Sequence, residues 1–295
     1  MTDKKQTTTI LLMTSLLIIA TLNTVNADIN KTNCPSGMVS YWTFDNSSNL
    51  GKDDFNGNNG AVNGAVWNSS GQVNGSIQFD GINDYIIVPN AANINFATNI
   101  TILAWIKSDD NREAPSIINK YPRSTYPYNG WEVYLYSGKA VIGGRSGSGS
   151  YEGTGSNTSV NDSKWHFITA EQSGRYWMIY VDGILEKTYD TGYLNADLTN
   201  DKYLIMGMWQ KDPGSPTLEY FYRGLVDEVA IFNRTLNSSE ILQIYTAGNN
   251  SHQGYCTPLQ QEQEKVPEIT ERTTLTIITL IALFIIVLTA VVKKR

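Results

Sequence analysis

From residue 38 to residue 232 apolar and polar side chains alternate at period two, in short runs separated by Gly, Asn, Ser, Asp and Pro. Because a strand points successive side chains to opposite faces, this pattern predicts a β protein. Strands are expected at 38–44, 99–107, 116–120, 131–136, 139–143, 165–171, 176–181, 184–188, 203–209 and 225–232, with strand, turn, strand over 77–88 and a weak strand at 61–67. Residues 46–60 and 68–75 read as loop, and 143–155 as a flexible Gly/Ser loop holding Arg145 and Tyr151. The run 99–107 stands apart because both of its faces are half apolar, Ile102, Ala104 and Ile106 on one and Thr101, Leu103, Trp105 and Lys107 on the other. The period changes to helical only at 237–247, where Asn237 with Glu240 forms a capping-box pattern, Ile241, Leu242, Ile244 and Tyr245 make the apolar stripe, and Gly248 is the expected stop.

Two longer apolar runs lie outside this region. Residues 10–20 follow Lys4 and Lys5 and precede Val25-Asn26-Ala27, which fits a secretory signal cut after residue 27; an uncleaved anchor is the alternative. Residues 275–292 carry no charge and are followed at once by Lys293, Lys294 and Arg295. That is long enough to span a bilayer, with the basic triplet staying cytoplasmic. The expected organisation is a signal at 1–27, an extracellular domain at 28–256, a polar stalk at 257–273, a transmembrane helix at 274–292 and a cytoplasmic tail at 293–295. Val266-Pro267-Glu268 ahead of the span also resembles the tripartite sorting tails of prokaryotic surface proteins.

The chain has 295 residues and a net charge of −6. Residues 1–27 hold two Lys and one Asp, and residues 293–295 hold three cations, so the exported part bears −10. Nucleic acid is thereby excluded as a partner, and strongly anionic polysaccharides are disfavoured. Ten Asn-x-Ser/Thr sequons, from Asn30 to Asn249, agree with exposed loops outside the cell.

Four motifs in order resemble one family: Phe79-Asp80-Gly81 followed by Asp84-Tyr85 and an apolar run, Thr101-Ile102 leading to Ala104-Trp105, Trp165-His166 before strand, Asp182-Gly183 and strand, and Asp227-Glu228 before Asn233-Arg234 and a capped helix. Together they resemble the laminin G-like branch of the concanavalin A-like jelly rolls. The resemblance implies an all-β, two-sheet antiparallel jelly-roll sandwich with one short C-terminal helix. It says little about the ligand. A jelly roll brings its ends together, so the two cysteines, Cys34 and Cys256, are expected to form a disulfide, a free or metal-binding pair being the alternative.

The resemblance also implies one structural calcium where the terminal strands meet. Asp45, Asp54, Asn56 and Asp227 are the matching positions, with Asp80 or the Gly81 carbonyl as substitutes, and hard oxygens on a Gly-containing loop suit that ion. Ordinary turn chemistry is the alternative. Opposite the core-facing residues, alternation places Trp105, Lys107, Glu132, Tyr134 and Tyr136, with Arg145, Trp209 and Glu228 joining them on the concave sheet. Aromatic platforms flanked by polar groups are suited to sugars, so Trp105, Glu132, Tyr134, Arg145 and Trp209 form the candidate carbohydrate site; the alternative is that Trp105 and Trp209 are core residues and the tyrosines surface strand formers.

Catalysis is not expected. Glycoside hydrolases of this fold carry carboxylates as Glu-x-Asp-x-Glu, a pattern missing here, and alternation sends the adjacent Asp227 and Glu228 to opposite faces. The expected function is non-catalytic recognition of a glycan or glycoprotein in adhesion or surface-layer contact by a protein of the cell membrane. A structural envelope domain and a carbohydrate-active enzyme are the alternatives.

Overall fold

The computed structural model describes residues 34–121, 129–145, 150–192, 197–210 and 218–256. The expected signal, stalk, span and tail all lie outside these residues. Among the described residues no helix is long and apolar enough to cross a membrane.

The strands run in chain order as β1 (Met38–Trp42), β2 (Ala61–Asn63), β3 (Val66–Asn68), β4 (Ser76–Asp80), β5 (Tyr85–Val88), β6 (Ile100–Lys107), β7 (Ser116–Lys120), β8 (Gly130–Tyr136), β9 (Lys139–Arg145), β10 (Glu152–Ser159), β11 (Trp165–Ser173), β12 (Tyr176–Val181), β13 (Ile184–Asp190), β14 (Leu204–Met206), β15 (Trp209–Gln210), β16 (Leu218–Glu219) and β17 (Arg223–Phe232). They form two antiparallel sheets. The first is ordered β13-β12-β11-β6-β17-β4-β3, with β1 also paired to β17, and the second β10-β9-β8-β7-β14-β5-β2; β15 and β16 make a separate ribbon. The long β17 is central to the first sheet, its first half bonding β4 and its second half β1 while its other edge bonds β6.

The core between the sheets takes the faces expected of it: Ile102, Ala104 and Ile106 from β6 meet Trp131, Val133 and Leu135 from β8 and Ile142 from β9. The apolar outer face of β6 also has its explanation. One helix, α1 (Ser238–Ser251), covers the outer face of the first sheet, where Leu103, Trp105, Phe167, Tyr180 and Phe232 pack against Ile241, Ile244 and Tyr245. Buried on both faces, β6 has no polar side to show.

The helix is capped as expected, Asn237 Oδ1 accepting from the Ser239 and Glu240 amides at 3.0 Å while its own amide donates to Glu240 at 2.8 Å. It does not stop at Gly248 but ends at His252, in the left-handed conformation at φ 47°. The glycine serves packing, because a Cβ there would lie 2.9 Å from the Trp105 indole nitrogen. Cys34 and Cys256 are joined, closing a loop of 222 residues and tying the two ends of the domain.

The loop expected at 143–155 is corrected. Residues 152–159 form β10, paired with β9 through Gly153–Gly143 and Gly155–Val141. Its outward positions are glycines, so no apolar alternation marks it; backbone hydrogen bonds and the buried Thr154 and Ser156 hold it instead.

Candidate functional site

Two places bring together the residues singled out above, one at the seam of the terminal strands and one on the outer face of the second sheet.

At the seam, a β-bulge interrupts the pairing of β17 with β6 between Asp227 and Ala230, and Glu228 adopts φ 52°. The bulge cancels the simple alternation. Asp227 and Glu228 are therefore not parted as expected: both are fully buried, each within the other's electrostatic field and within that of Asp45. Asp227 Oδ2 accepts the Val73 amide at 2.9 Å, and Asp45 Oδ1 accepts the Gly75 amide at 3.0 Å, so residues 73–75 link the two. Glu228 is bonded to the Tyr41 hydroxyl, which in turn accepts the Tyr255 amide at 3.0 Å. Burial, and then mutual repulsion for Glu228, raises both carboxyl pKa values well above the usual range. Yet Asp227 Oδ1 and Glu228 Oε1 have no hydrogen-bond partner among the described residues. Buried, unsatisfied carboxylate oxygens are costly unless protonated or bound to a cation.

The other two expected ligands go elsewhere. Asp54 pairs with Lys52 and accepts the Thr43 hydroxyl at 2.9 Å, and Asn56 donates to the Val39 carbonyl at 3.0 Å. Their loop is organised by Asp53, whose carboxylate accepts the amides of Tyr41, Phe55, Asn56 and Asn58, as a turn-forming Asp does. Asp80 likewise caps its own turn through the Ile82 and Asn83 amides. Among the described residues no three His, Cys, Asp or Glu side chains converge as a ligand set, so a cation at Asp227 would need main-chain oxygens as well.

On the second sheet, the outward residues of β8 and β9 form a ladder: Tyr136 opposite Lys139, Tyr134 opposite Val141, Glu132 opposite Gly143, and Gly130 opposite Arg145. A cavity of about 330 Å³ is lined by Tyr121, Tyr134, Arg145 and Tyr151. Tyr151 fits because Gly143 has no side chain: a Cβ there would meet the Tyr151 hydroxyl at 2.3 Å. Glu132 sits buried behind this cavity rather than in its wall, accepting the Tyr151 hydroxyl at 2.8 Å. Burial, then the Glu132 charge, raises the Tyr151 pKa well above that of a free phenol, so the ring stays neutral and oriented. A second cavity of about 480 Å³ shares Tyr134 and Tyr151 and continues over β10 to Lys187 and Tyr189 of β13.

Of the five residues expected to bind sugar, the structure thus groups Glu132, Tyr134 and Arg145. Trp105 is corrected: it belongs to the first sheet, buried beneath α1 with its ring centroid 5.7 Å from that of Tyr245. Trp209 is buried against Tyr220 at 5.6 Å and lines neither cavity, and Glu228 belongs to the seam. Tyr121 and Tyr151 were missed. Both sit in Gly, Ser and Pro surroundings without periodicity; the alternating Gly153-Thr154-Gly155-Ser156 was the one signal for the strand beside Tyr151.

Comparison with known proteins agrees with this architecture. Residues 80–242 match the family profile Laminin_G_3, described as the concanavalin A-like lectin/glucanases superfamily. No curated protein matches the chain. Among solved structures it resembles the binding domain of Paraclostridial Mosquitocidal Protein 1, at 18% identity and a TM-score of 0.56, over 72% of this chain and 52% of that one. Domain 4 of AbnA, a GH43 extracellular arabinanase from Geobacillus stearothermophilus, solved with arabinotriose, aligns at 14% identity and a TM-score of 0.55, over 70% of this chain and 96% of that one. The botulinum neurotoxin serotype D ligand binding domain, solved with N-acetylneuraminic acid, aligns at 18% identity and 0.54, over 72% and 51%. This chain thus spans about half the length of the toxin domains, and at such identities the likeness is one of fold.

Proposed function

Since the chain belongs to the concanavalin A-like lectin/glucanase superfamily, we propose that it is a non-catalytic binding module for a glycan or glycoprotein, carried on the cell surface by its C-terminal apolar segment and serving adhesion or surface-layer contact. One observation carries this reading: three tyrosines and Arg145 converge on one open cavity, with Glu132 fixing Tyr151 from behind. Flat aromatic faces pack on sugar rings, while phenol hydroxyls and the guanidinium supply directional hydrogen bonds. The two similar domains solved with sugar ligands support it by analogy of fold.

The seam is proposed as a structural calcium site in which Asp227 and Asp45 are ligands and Glu228 stands beside them. The support is the pair of buried carboxylate oxygens with no partner. Calcium would supply positive charge there, and the carboxylates would hold the bulge of β17 against residues 73–75.

A glycan array probed with the full chain tests the binding function. Saturable binding without product release supports the proposal, and silence across the array favours a purely structural envelope domain. Tyr134→Ala with Arg145→Ala should weaken any measured glycan affinity by about tenfold or more, roughly 1.4 kcal/mol. Unchanged affinity would show that the ligand binds elsewhere.

A further inference from the structure

The larger of the two cavities has a charge pattern that the tyrosine cluster does not explain. Its floor is Val141, Gly153 and Gly155, and its walls are Tyr136 from β8 and Tyr189 from β13, so both sheets contribute. Lys139 and Lys187 also line it, one from each sheet. Both are exposed, and among the described residues neither makes an ion pair. Glu186, next to Lys187 in the chain, makes no ion pair with it: its Oε2 accepts the Asn157 amide at 2.6 Å and the Thr158 amide at 3.0 Å, and its Oε1 takes the Thr158 hydroxyl. Among the described residues Glu152 is the single carboxylate in the wall, against two ammonium groups. A chain with a net charge of −6 thus gathers positive charge in one aromatic trough.

We propose that this trough is an acidic-sugar subsite: Tyr136 and Tyr189 pack on the ring while Lys139 and Lys187 pair with its carboxylate. The inference rests on the glycan-binding reading above and specifies its ligand as a glycan carrying an isolated carboxylate within an otherwise neutral chain. Two arguments narrow the ligand this far. The two cavities share Tyr134 and Tyr151, so the site runs from Tyr121 across β8, β9 and β10 to Tyr189. With neighbouring strands about 4.8 Å apart, that path is longer than one sugar ring, and a chain segment fills it better than a terminal sugar. The net negative charge repels a polyanion at long range, whereas two local lysines suffice for one carboxylate.

The test is an array on which oligosaccharides with one uronic or sialic acid are each printed beside the carboxyl-reduced form, with heparin as the polyanion. Wild-type full chain should prefer the acid form by about fivefold, the scale of two solvent-exposed ion pairs, with the preference shrinking at 0.5 M NaCl. Lys139→Ala with Lys187→Ala should lose the preference yet bind the reduced forms as the wild type does, at an unchanged melting temperature. Equal binding of acid and reduced forms, a preference surviving in the double variant, or tightest binding to heparin would each overturn this inference and leave the glycan-binding reading standing. Binding to neither member of any pair would remove both.

Discussion

Asp227 and Glu228 show how far one residue's environment shifts its chemistry. A carboxyl whose folded pKa is raised by burial stabilises the fold only while protonated: the contribution is complete below the unfolded values near 3.8 and 4.5 and is lost as pH rises through the folded ones. In chelator, the melting temperature should therefore fall as pH rises from about 4 towards neutral. Millimolar calcium should restore it at pH 7, by about 2.7 kcal/mol when the ion is a hundredfold above its Kd. Asp227→Asn should abolish the calcium response and flatten the pH dependence. Melting curves that coincide in calcium and chelator would rule out the metal site.

At the scale of elements, two glycines do opposite things. Gly248 lets α1 lie close over Trp105; Gly248→Val should destabilise by about 1–3 kcal/mol, as overpacking does, read as a shift in the urea midpoint. Gly155 of β10 lines the larger cavity, and a Cβ there would lie 3.2 Å from the Val141 side chain and 3.7 Å from the Ala140 carbonyl oxygen, with nothing nearer. Gly155→Trp should thus fill the trough and remove glycan binding at little cost in stability. If glycan affinity survived that substitution, the trough would not be the site. Neither role was legible from the sequence, where Gly248 reads as a helix stop and Gly155 as part of a flexible loop.

At the scale of the whole domain, the Cys34–Cys256 bond joins the two ends and places Tyr255 against Tyr41, ring centroids 5.2 Å apart, above Glu228. Replacing both cysteines by serine should cost about 2–4 kcal/mol. Because Tyr255 orders this wall of the seam, the same change should also weaken the calcium response. Denaturation with and without reductant, each repeated in calcium and chelator, measures both effects; an unaltered midpoint under full reduction would deny the bond a stabilising role.

The strand pattern, the capping box and the four motifs suffice for the sandwich, its core faces and its family, because burial of alternate residues is written locally, one strand at a time. The two half-apolar faces of 99–107 agree with the helix that covers β6 on the outside, although Trp105 on that face was expected to meet sugar. Three things were settled only by the tertiary structure. Which sheet owns a residue is a matter of topology, so Trp105 and Tyr134, each on an outer face by alternation, lie on different sheets, one under a helix and one open to solvent. A bulge changes side-chain direction by one residue, and it brought Asp227 and Glu228 together where simple alternation parts them. A strand of glycines and hydroxyl residues has no hydrophobic period, so β10, and with it the trough and Tyr151, exists only through its backbone pairing with β9.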